Sequence, residues 1–276
     1  MTLQPIHDPA EGQLRIAGFM SGKGTNLIKI IEHEIRLQTE YGQSPYSVVV
    51  ILTSNPKSNA YRIGEKLERL VVKNDILAFA AEHGVSWKDK ALRQEYDAVT
   101  VEKLKPYHAT IAAYAGYDLW ASPVLVKAIL GVNVHPCDTS ILGPDHLPVY
   151  SGSNAVRNAI LAGEKYLRST THIIAEKVDT GGIFMLSKPH EVVLGRDFEL
   201  RKREDGIGYV DKVANENQEL LKAVGDLDIF PLTLQLIAQG RFQRDGEKRL
   251  YFDGKPIPAG VKRENLVMQG NRWKLK

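Results

Sequence analysis

The run Ser47–Thr53, SVVVILT, has no polar alternation along it. A strand with one wet face alternates every second residue, whereas a run that is apolar throughout fits a strand covered on both faces, at the centre of a parallel sheet. Comparable runs recur at Leu14–Met20, Leu70–Val72, Thr110–Tyr114, Val132–His135, Thr171–Val178 and Ile183–Leu186. Helical periods separate the early ones. Leu27, Ile30, Ile31 and Ile35 fall at i, i+3, i+4 and i+8, on one helix face. Segments around Ile76–His83, Lys88–Leu104 and Pro123–Leu130 read the same way. This alternation predicts an α/β fold, a mostly parallel sheet with helices on both faces.

After Leu186 the pattern loosens, and residues 187–228 are charged, with RDFELRKRED at 196–205. The spacing predicts a helix over Asp211–Ala223 and another over Phe230–Ala238, with Pro231 in its first turn. Asp253-Gly254 between β-formers signals a hairpin. No internal repeat or low-complexity linker divides the chain. Residues 14–276 therefore read as one domain, with halves of 14–130 and 131–276, behind a loose leader over 1–13.

A chain of 276 residues that is 43% hydrophobic buries a sizeable core without metals or disulfides. Its single cysteine, Cys137, excludes an intrachain disulfide and fits a reducing compartment. No apolar stretch approaches the ~20 residues of a membrane span. The start, MTLQPIHDPAEGQ, lacks the basic and apolar regions of a signal peptide, so a cytoplasmic location is expected. A net charge of +3 suits anionic small molecules and makes no case for nucleic acid or a membrane.

Three short stretches carry chemistry. In RIAGFMSGKGTN, from Arg15, an apolar run stops at Ser21, Gly22 and Gly24 follow, and a helical pattern opens at Thr25. Such sheets bind ligands beyond the C-terminal ends of their strands, and free N–H groups at a helix start favour an anion. The spacing is not that of a Walker loop, and the third glycine of a dinucleotide fingerprint is missing. Read alone, the stretch fits either an anion cradle or a tight turn with a structural cap.

In GVNVHPCDTS, residues 131–140, Asn133 and His135 stand two apart at a strand end and share a face. An amide donor beside an imidazole suits acyl transfer: the amide meets a developing oxyanion and the histidine moves a proton near neutral pH. The alternative is a histidine satisfied in a core turn. In THIIAEKVDTGGIF, residues 171–184, Asp179 opens a glycine loop that could carry a carboxylate to His135, or simply starts a turn. Spacing alone does not bring residues 133, 135 and 179 together. His83, His108 and His190 show no metal-ligand spacing, and no metal is expected.

Together, and in this order, the three stretches resemble the folate-dependent formyltransferase family, most closely those members that act on phosphoribosylglycinamide (GAR). Ser21-Gly22-Lys23-Gly24-Thr25-Asn26-Leu27 is similar to the family's substrate-phosphate loop, and Asn133-Val134-His135-Pro136 to its catalytic Asn-x-His-Pro. His172 to Gly182 resembles its His-to-Asp-Gly-Gly segment. AYAGYDLWASP at 113–123, FPLTLQLIAQGR and LYFDGKPIP echo further family segments, and the likeness spans roughly residues 14–260.

The resemblance implies a Rossmann-like, mostly parallel twisted sheet flanked by helices, closed by a C-terminal helix and a β-hairpin. It implies formyl transfer from 10-formyltetrahydrofolate, as co-substrate, to the primary amine of glycinamide ribonucleotide in purine biosynthesis. Asn133, His135 and Asp179 would be catalytic, with His172 behind them. Ser21, Gly22, Lys23, Gly24, Thr25 and Asn26 would hold the acceptor's phosphate, and Leu119, Trp120, Ala121 and Val178 the folate. The family reading leaves room for a homodimer.

The sequence also departs from the family. The stretch after His-Pro, CDTSILGPDHLPVYSG at 137–152, is longer and places Cys137 where the family has serine. Formyl transfer needs no thiol nucleophile, so Cys137 reads as a packing residue. Gly152-Ser153-Asn154 replaces Gly-x-His, Asp118-Leu119-Trp120-Ala121 replaces Met-Arg-Ile-Leu, and residues 187–228 are extended. A different phosphorylated amine, such as an amino sugar nucleotide, and a non-catalytic folate- or nucleotide-binding relative are the alternatives.

Overall fold

Eight strands form the central sheet of the computed structural model, which describes residues 2–270 and 272–276. In chain order they are β1 (Leu14–Met20), β2 (Tyr46–Thr53), β3 (Val71–Lys73), β4 (Ile111–Tyr114), β5 (Leu130–His135), β6 (Thr170–Ile173), β7 (Ile183–Leu186) and β8 (Val261–Lys262). Their spatial order is β8-β7-β6-β5-β4-β1-β2-β3. All neighbours run parallel except at β6, which is antiparallel to both β5 and β7.

The order reverses beside β1: β2 and β3 lie to one side of it, β4 and β5 to the other. A crevice opens at such a switch point, beyond the strands' C-terminal ends. The glycine stretch after β1 and the segment after β4 therefore face one another.

The helices are α1 (Thr25–Tyr41), α2 (Ala60–Lys66), α3 (Ile76–Glu82), α4 (Lys90–Leu104), α5 (Pro123–Ala128), α6 (Ala155–Leu161), α7 (Phe198–Glu204), α8 (Ile207–Leu221) and α9 (Leu227–Ala238). They bury both faces of the sheet. Ile16 and Met20 of β1 join Leu27, Ile30 and Ile31 of α1 and Ile229, Phe230 and Leu234 of α9. Ala17 and Phe19, on the opposite face, pack with Tyr114, Tyr117, Leu104 and Leu125. Each fully buried large apolar side chain contributes about 1.5–3 kcal/mol, so this double-sided layer fixes the sheet on which the site is built. A smaller core joins Cys137 and Tyr150 to α6 and to Val210, Val213, Ala214 and Leu221 of α8. No described helix is long and apolar enough to cross a membrane.

Several expectations need correction. The leader is not loose: Gln4 and Pro5 pair with Arg244 and Gln243, and His7 is buried with Nε2 on the Gly12 carbonyl. The strand expected over Thr171–Val178 ends at Ile173, because the Ile173 N–H bonds the Gly182 carbonyl and the chain turns back at once. Pro231 stands inside α9. A π turn over Lys222–Asp226 joins α8 to α9 without a break, and such a turn absorbs a change of helical register. The hairpin signal corresponds to Leu250–Phe252 pairing with Lys255–Pro256 across Asp253-Gly254.

Candidate active site

The glycine stretch follows β1 directly. Gly24 has φ +73, and a Cβ there would meet Ile63 Cδ1 at 2.5 Å and Met20 Cε at 2.8 Å, so this position is restricted to glycine. Asn55 Nδ2 donates to the Ser21 carbonyl at 3.1 Å, and the Asn59 N–H donates to the Gly22 carbonyl at 3.1 Å. The Asn59 side chain donates to the Lys23 carbonyl at 3.3 Å. With its carbonyls tied back, the loop leaves its N–H groups free. Among the described residues, no bond is made by the N–H groups from Gly22 to Leu27; the first helical bond is Ile28 to Gly24. Consecutive free N–H groups at the start of a 17-residue helix form an anion cradle.

Register, not spacing, brings the catalytic candidates together. In the antiparallel β5–β6 pair Asn133 lies opposite His172, and His135 opposite Thr170. Beyond β6 the chain folds back so tightly that a Cβ on Gly181 would lie 1.8 Å from the Ile173 carbonyl oxygen, leaving room for glycine alone. The turn carries Asp179 in the left-handed region, φ 57, back over both histidines.

Asp179 Oδ2 is 3.4 Å from His135 Nδ1, and its Oδ1 is 3.4 Å from His172 Nε2. The Gly152 N–H donates to Oδ2 at 2.8 Å. His135 Nε2 meets the Tyr150 carbonyl at 2.9 Å. His172 Nδ1 meets the Ile173 carbonyl at 2.9 Å, which leaves its Nε2 to accept from Asn133 Nδ2 at 3.2 Å. A His172 protonated at both nitrogens donates to Asp179 instead. The end of the long 137–152 segment thus holds both members of the His135–Asp179 pair.

Burial favours the neutral imidazole and lowers the pKa of His135, against the opposing pull of Asp179. Burial also works to raise Asp179, but its contacts with His172 and His135 and the Gly152 N–H prevail, and its pKa lies at about 2. Through the neutral range Asp179 is ionised and His135 is an uncharged base. With its Nε2–H on Tyr150, His135 presents the Nδ1 lone pair beside a carboxylate, an arrangement that takes up a proton. Changing Asp179 to Asn removes the charge that raises the His135 pKa but keeps an acceptor for Gly152. The imidazole is then expected to titrate at still lower pH, as NMR of its ring protons reads directly; an unchanged or higher value overturns this coupling.

One cavity of about 550 Å³ joins these parts. Asn26, Asn133, His135 and Asp179 line it, and Tyr117, Leu119, Trp120, Ala121 and Val178 form the wall beyond β4 and the 174–182 turn. Ser21, Gly22, Lys23, Gly24 and Thr25 are not among the lining residues, and neither is His172, which meets Asn133 and Asp179 from behind them. Asn154 stands at the N-cap position of α6, without a capping bond from its side chain, and is not among the lining residues.

Sequence reasoning missed Gln218, Lys222 and Asp226, which line the same cavity from α8 and the π turn. Asp226 accepts from Ser169 Oγ at 2.5 Å and from Asn26 Nδ2 at 3.3 Å, and burial raises its pKa against these two bonds. A signal for it was present: Asp226 precedes the buried Ile229, Phe230 and Thr233 by three, four and seven positions, so it lies on the inward face. Cys137 is fully buried, and burial pushes its thiol up to about 12, so it is a packing residue.

Known proteins resemble this chain over most of its length. The family described as Formyl transferase matches residues 14–199. A phosphoribosylglycinamide formyltransferase of Haemophilus influenzae is 25% identical over 246 residues, 88% of this chain and 96% of that protein. Its Bacillus subtilis namesake is 28% identical over 171 residues, 61% of this chain and 75% of that protein. The solved phosphoribosylglycinamide formyltransferase of Coxiella burnetii, in complex with CHES, superposes with a TM-score of 0.65. It covers 91% of this chain and 99% of its own at 18% identity, a likeness of fold. A family match over more than half of the chain leads to one conclusion: this chain belongs to the formyl transferase family and is a formyltransferase.

Proposed function

We propose that the enzyme transfers the formyl group of 10-formyltetrahydrofolate to the primary amine of glycinamide ribonucleotide, in purine biosynthesis. The observation that carries this reading is a cavity lined by an amide–imidazole–carboxylate group and a partly apolar wall, with Asn26 at its edge and the free N–H groups of the glycine loop next to it in the chain. The names of the Haemophilus influenzae and Bacillus subtilis relatives support the acceptor.

The acceptor's phosphate fits the free N–H groups of the glycine loop, with the Lys222 ammonium on the adjoining cavity wall. Buried Asn26 Oδ1 has no hydrogen-bond partner, and Asp226 lies beside it. These acceptors suit the hydroxyl groups of a sugar phosphate. A planar aromatic co-substrate suits Trp120, Leu119 and Val178 on the opposite wall.

The amine nitrogen attacks the formyl carbon and forms a C–N bond, and the carbonyl oxygen becomes an oxyanion facing the Asn133 amide N–H that His172 does not take. His135 Nδ1 takes the proton from the attacking nitrogen, and the imidazolium pairs with Asp179. That proton then passes to the folate nitrogen as its bond to the formyl carbon breaks. Anchoring the phosphate away from the reacting amine orients the amine for attack.

The test supplies purified enzyme with 10-formyltetrahydrofolate and glycinamide ribonucleotide and follows release of tetrahydrofolate. Acceptor-dependent release is expected from the wild type and not from His135→Ala. An amino sugar nucleotide forms the second arm, and release with that acceptor alone moves the assignment to it. Equal, acceptor-independent rates in both proteins overturn the catalytic reading. Inorganic phosphate is expected to raise the Tm of the wild type but not of Gly24→Val, whose side chain has no room; equal shifts remove the cradle from the reading.

A further inference from the structure

Ser21 sits where the glycine loop begins, yet every polar atom it carries is committed within the protein. Its N–H donates to the Gly116 carbonyl at 2.8 Å, its carbonyl accepts from Asn55 at 3.1 Å, and its hydroxyl lies 2.8 Å from the Ser54 hydroxyl. The same Oγ accepts the Asp118 N–H at 3.0 Å. Ser21 and Ser54 are both buried, and neither is among the cavity's lining residues. Gly116 to Ala121, by contrast, line the cavity without a break.

These bonds cross the crevice where the sheet order reverses. The wall after β4 belongs to no strand or helix between Ala115 and Ser122. Two side chains outside the wall hold its backbone N–H groups: Asp97 accepts from Ser122 at 2.7 Å at the far end, and Ser21 accepts from Asp118 in the middle. Trp120 adds only a long contact, its Nε1 3.4 Å from the Glu176 carbonyl.

We propose that Ser21 is a positioning residue for the co-substrate: its hydroxyl, backed by Ser54, holds the Gly116–Ala121 wall against the glycine loop and does not bind the acceptor's phosphate. This rests on the assignment of the wall to the folate and of the loop to the phosphate. The functional consequence is a division of labour inside one short motif. The N–H groups from Gly22 onward face the anion, while the residue before them fixes the opposite subsite.

Calorimetric titration of the full chain with tetrahydrofolate and, separately, with inorganic phosphate tests this. Ser21→Ala is expected to weaken tetrahydrofolate binding up to about tenfold, the order lost when a partly buried N–H loses its acceptor, with phosphate affinity within about twofold. Ser54→Ala is expected to weaken tetrahydrofolate by a smaller factor in the same direction. Weaker phosphate binding with unchanged tetrahydrofolate binding in Ser21→Ala overturns the proposal, because the hydroxyl is then a phosphate ligand. Equal weakening of both ligands, or of neither, also overturns it. Should Ser21→Ala not fold, Ser54→Ala decides alone, and unchanged tetrahydrofolate affinity in that variant is the overturning result. A wild type that binds neither ligand removes the functional reading first and this proposal with it.

Discussion

Truncating His135 to alanine is expected to lower kcat by about 10²–10⁴-fold, the range for loss of a positioned general base. Both nitrogens of this buried imidazole face oxygen: Tyr150 holds Nε2 at 2.9 Å, and Asp179 stands 3.4 Å from Nδ1. Asp179, at about 2, is too weak a base to hold the amine's proton, which leaves that role to the uncharged imidazole. The sign of the pH dependence follows from burial, which lowers the His135 pKa. The reaction needs the unprotonated ring, so the wild-type rate rises with pH through a value below that of an ordinary histidine and levels off above it. In His135→Ala that acid limb disappears. The KM for the acceptor is expected to change little, since the phosphate is proposed to bind the free N–H groups of Gly22–Leu27. Steady-state rates across pH check both. A variant within a few-fold of wild type, or one that keeps the limb, removes His135 from the chemistry.

The sequence made the sheet readable because burial on both faces leaves an unmixed apolar signal. Ser47–Thr53 lies within β2, and Leu14–Met20 coincides with β1. The same signal misled at Thr171–Val178. Ile174, Ala175 and Val178 look like strand, but Ile174 and Ala175 line the cavity and Val178 is half exposed at its mouth. Local pattern does not record that the chain must reverse at Gly181. The glycine stretch was readable as a turn and open as a site; what decides between the two is the N–H groups left free once Asn55 and Asn59 hold the carbonyls.

The candidate catalytic side chains were readable by type but not as a group. Asn133 meets His172 because β6 runs antiparallel at one particular register, and a one-residue slip of β6 would turn His172 to the other face. The leader was misread because Gln4–Pro5 gains its order from a distant edge, Gln243–Arg244, that has no local signature. Asp226 and Lys222 were hidden in a charged stretch, where helical phase alone separates an inward acid from solvated ones.

Asn133 carries the second large effect. Changing it to alanine is expected to cost about 10²–10³-fold in kcat, or ~3–4 kcal/mol of transition-state stabilisation, the loss found when one oxyanion donor is removed. Its amide is held before substrate arrives: the backbone pairs with Tyr114 on β4 and His172 on β6, and His172 Nε2 takes one N–H of Nδ2 at 3.2 Å. The other N–H is left to the cavity. Such a donor matters most once the carbonyl oxygen bears charge, so kcat is expected to fall while the KM of either substrate changes little. A rise in KM at constant kcat would reassign Asn133 to ground-state binding. Combining Asn133→Ala with His135→Ala sharpens the test. If the amide and the imidazole serve the same tetrahedral intermediate, the double variant is expected to be only slightly slower than the slower single one, because either loss alone already forfeits that intermediate's stabilisation. Losses that multiply in full would place the two groups in separate steps.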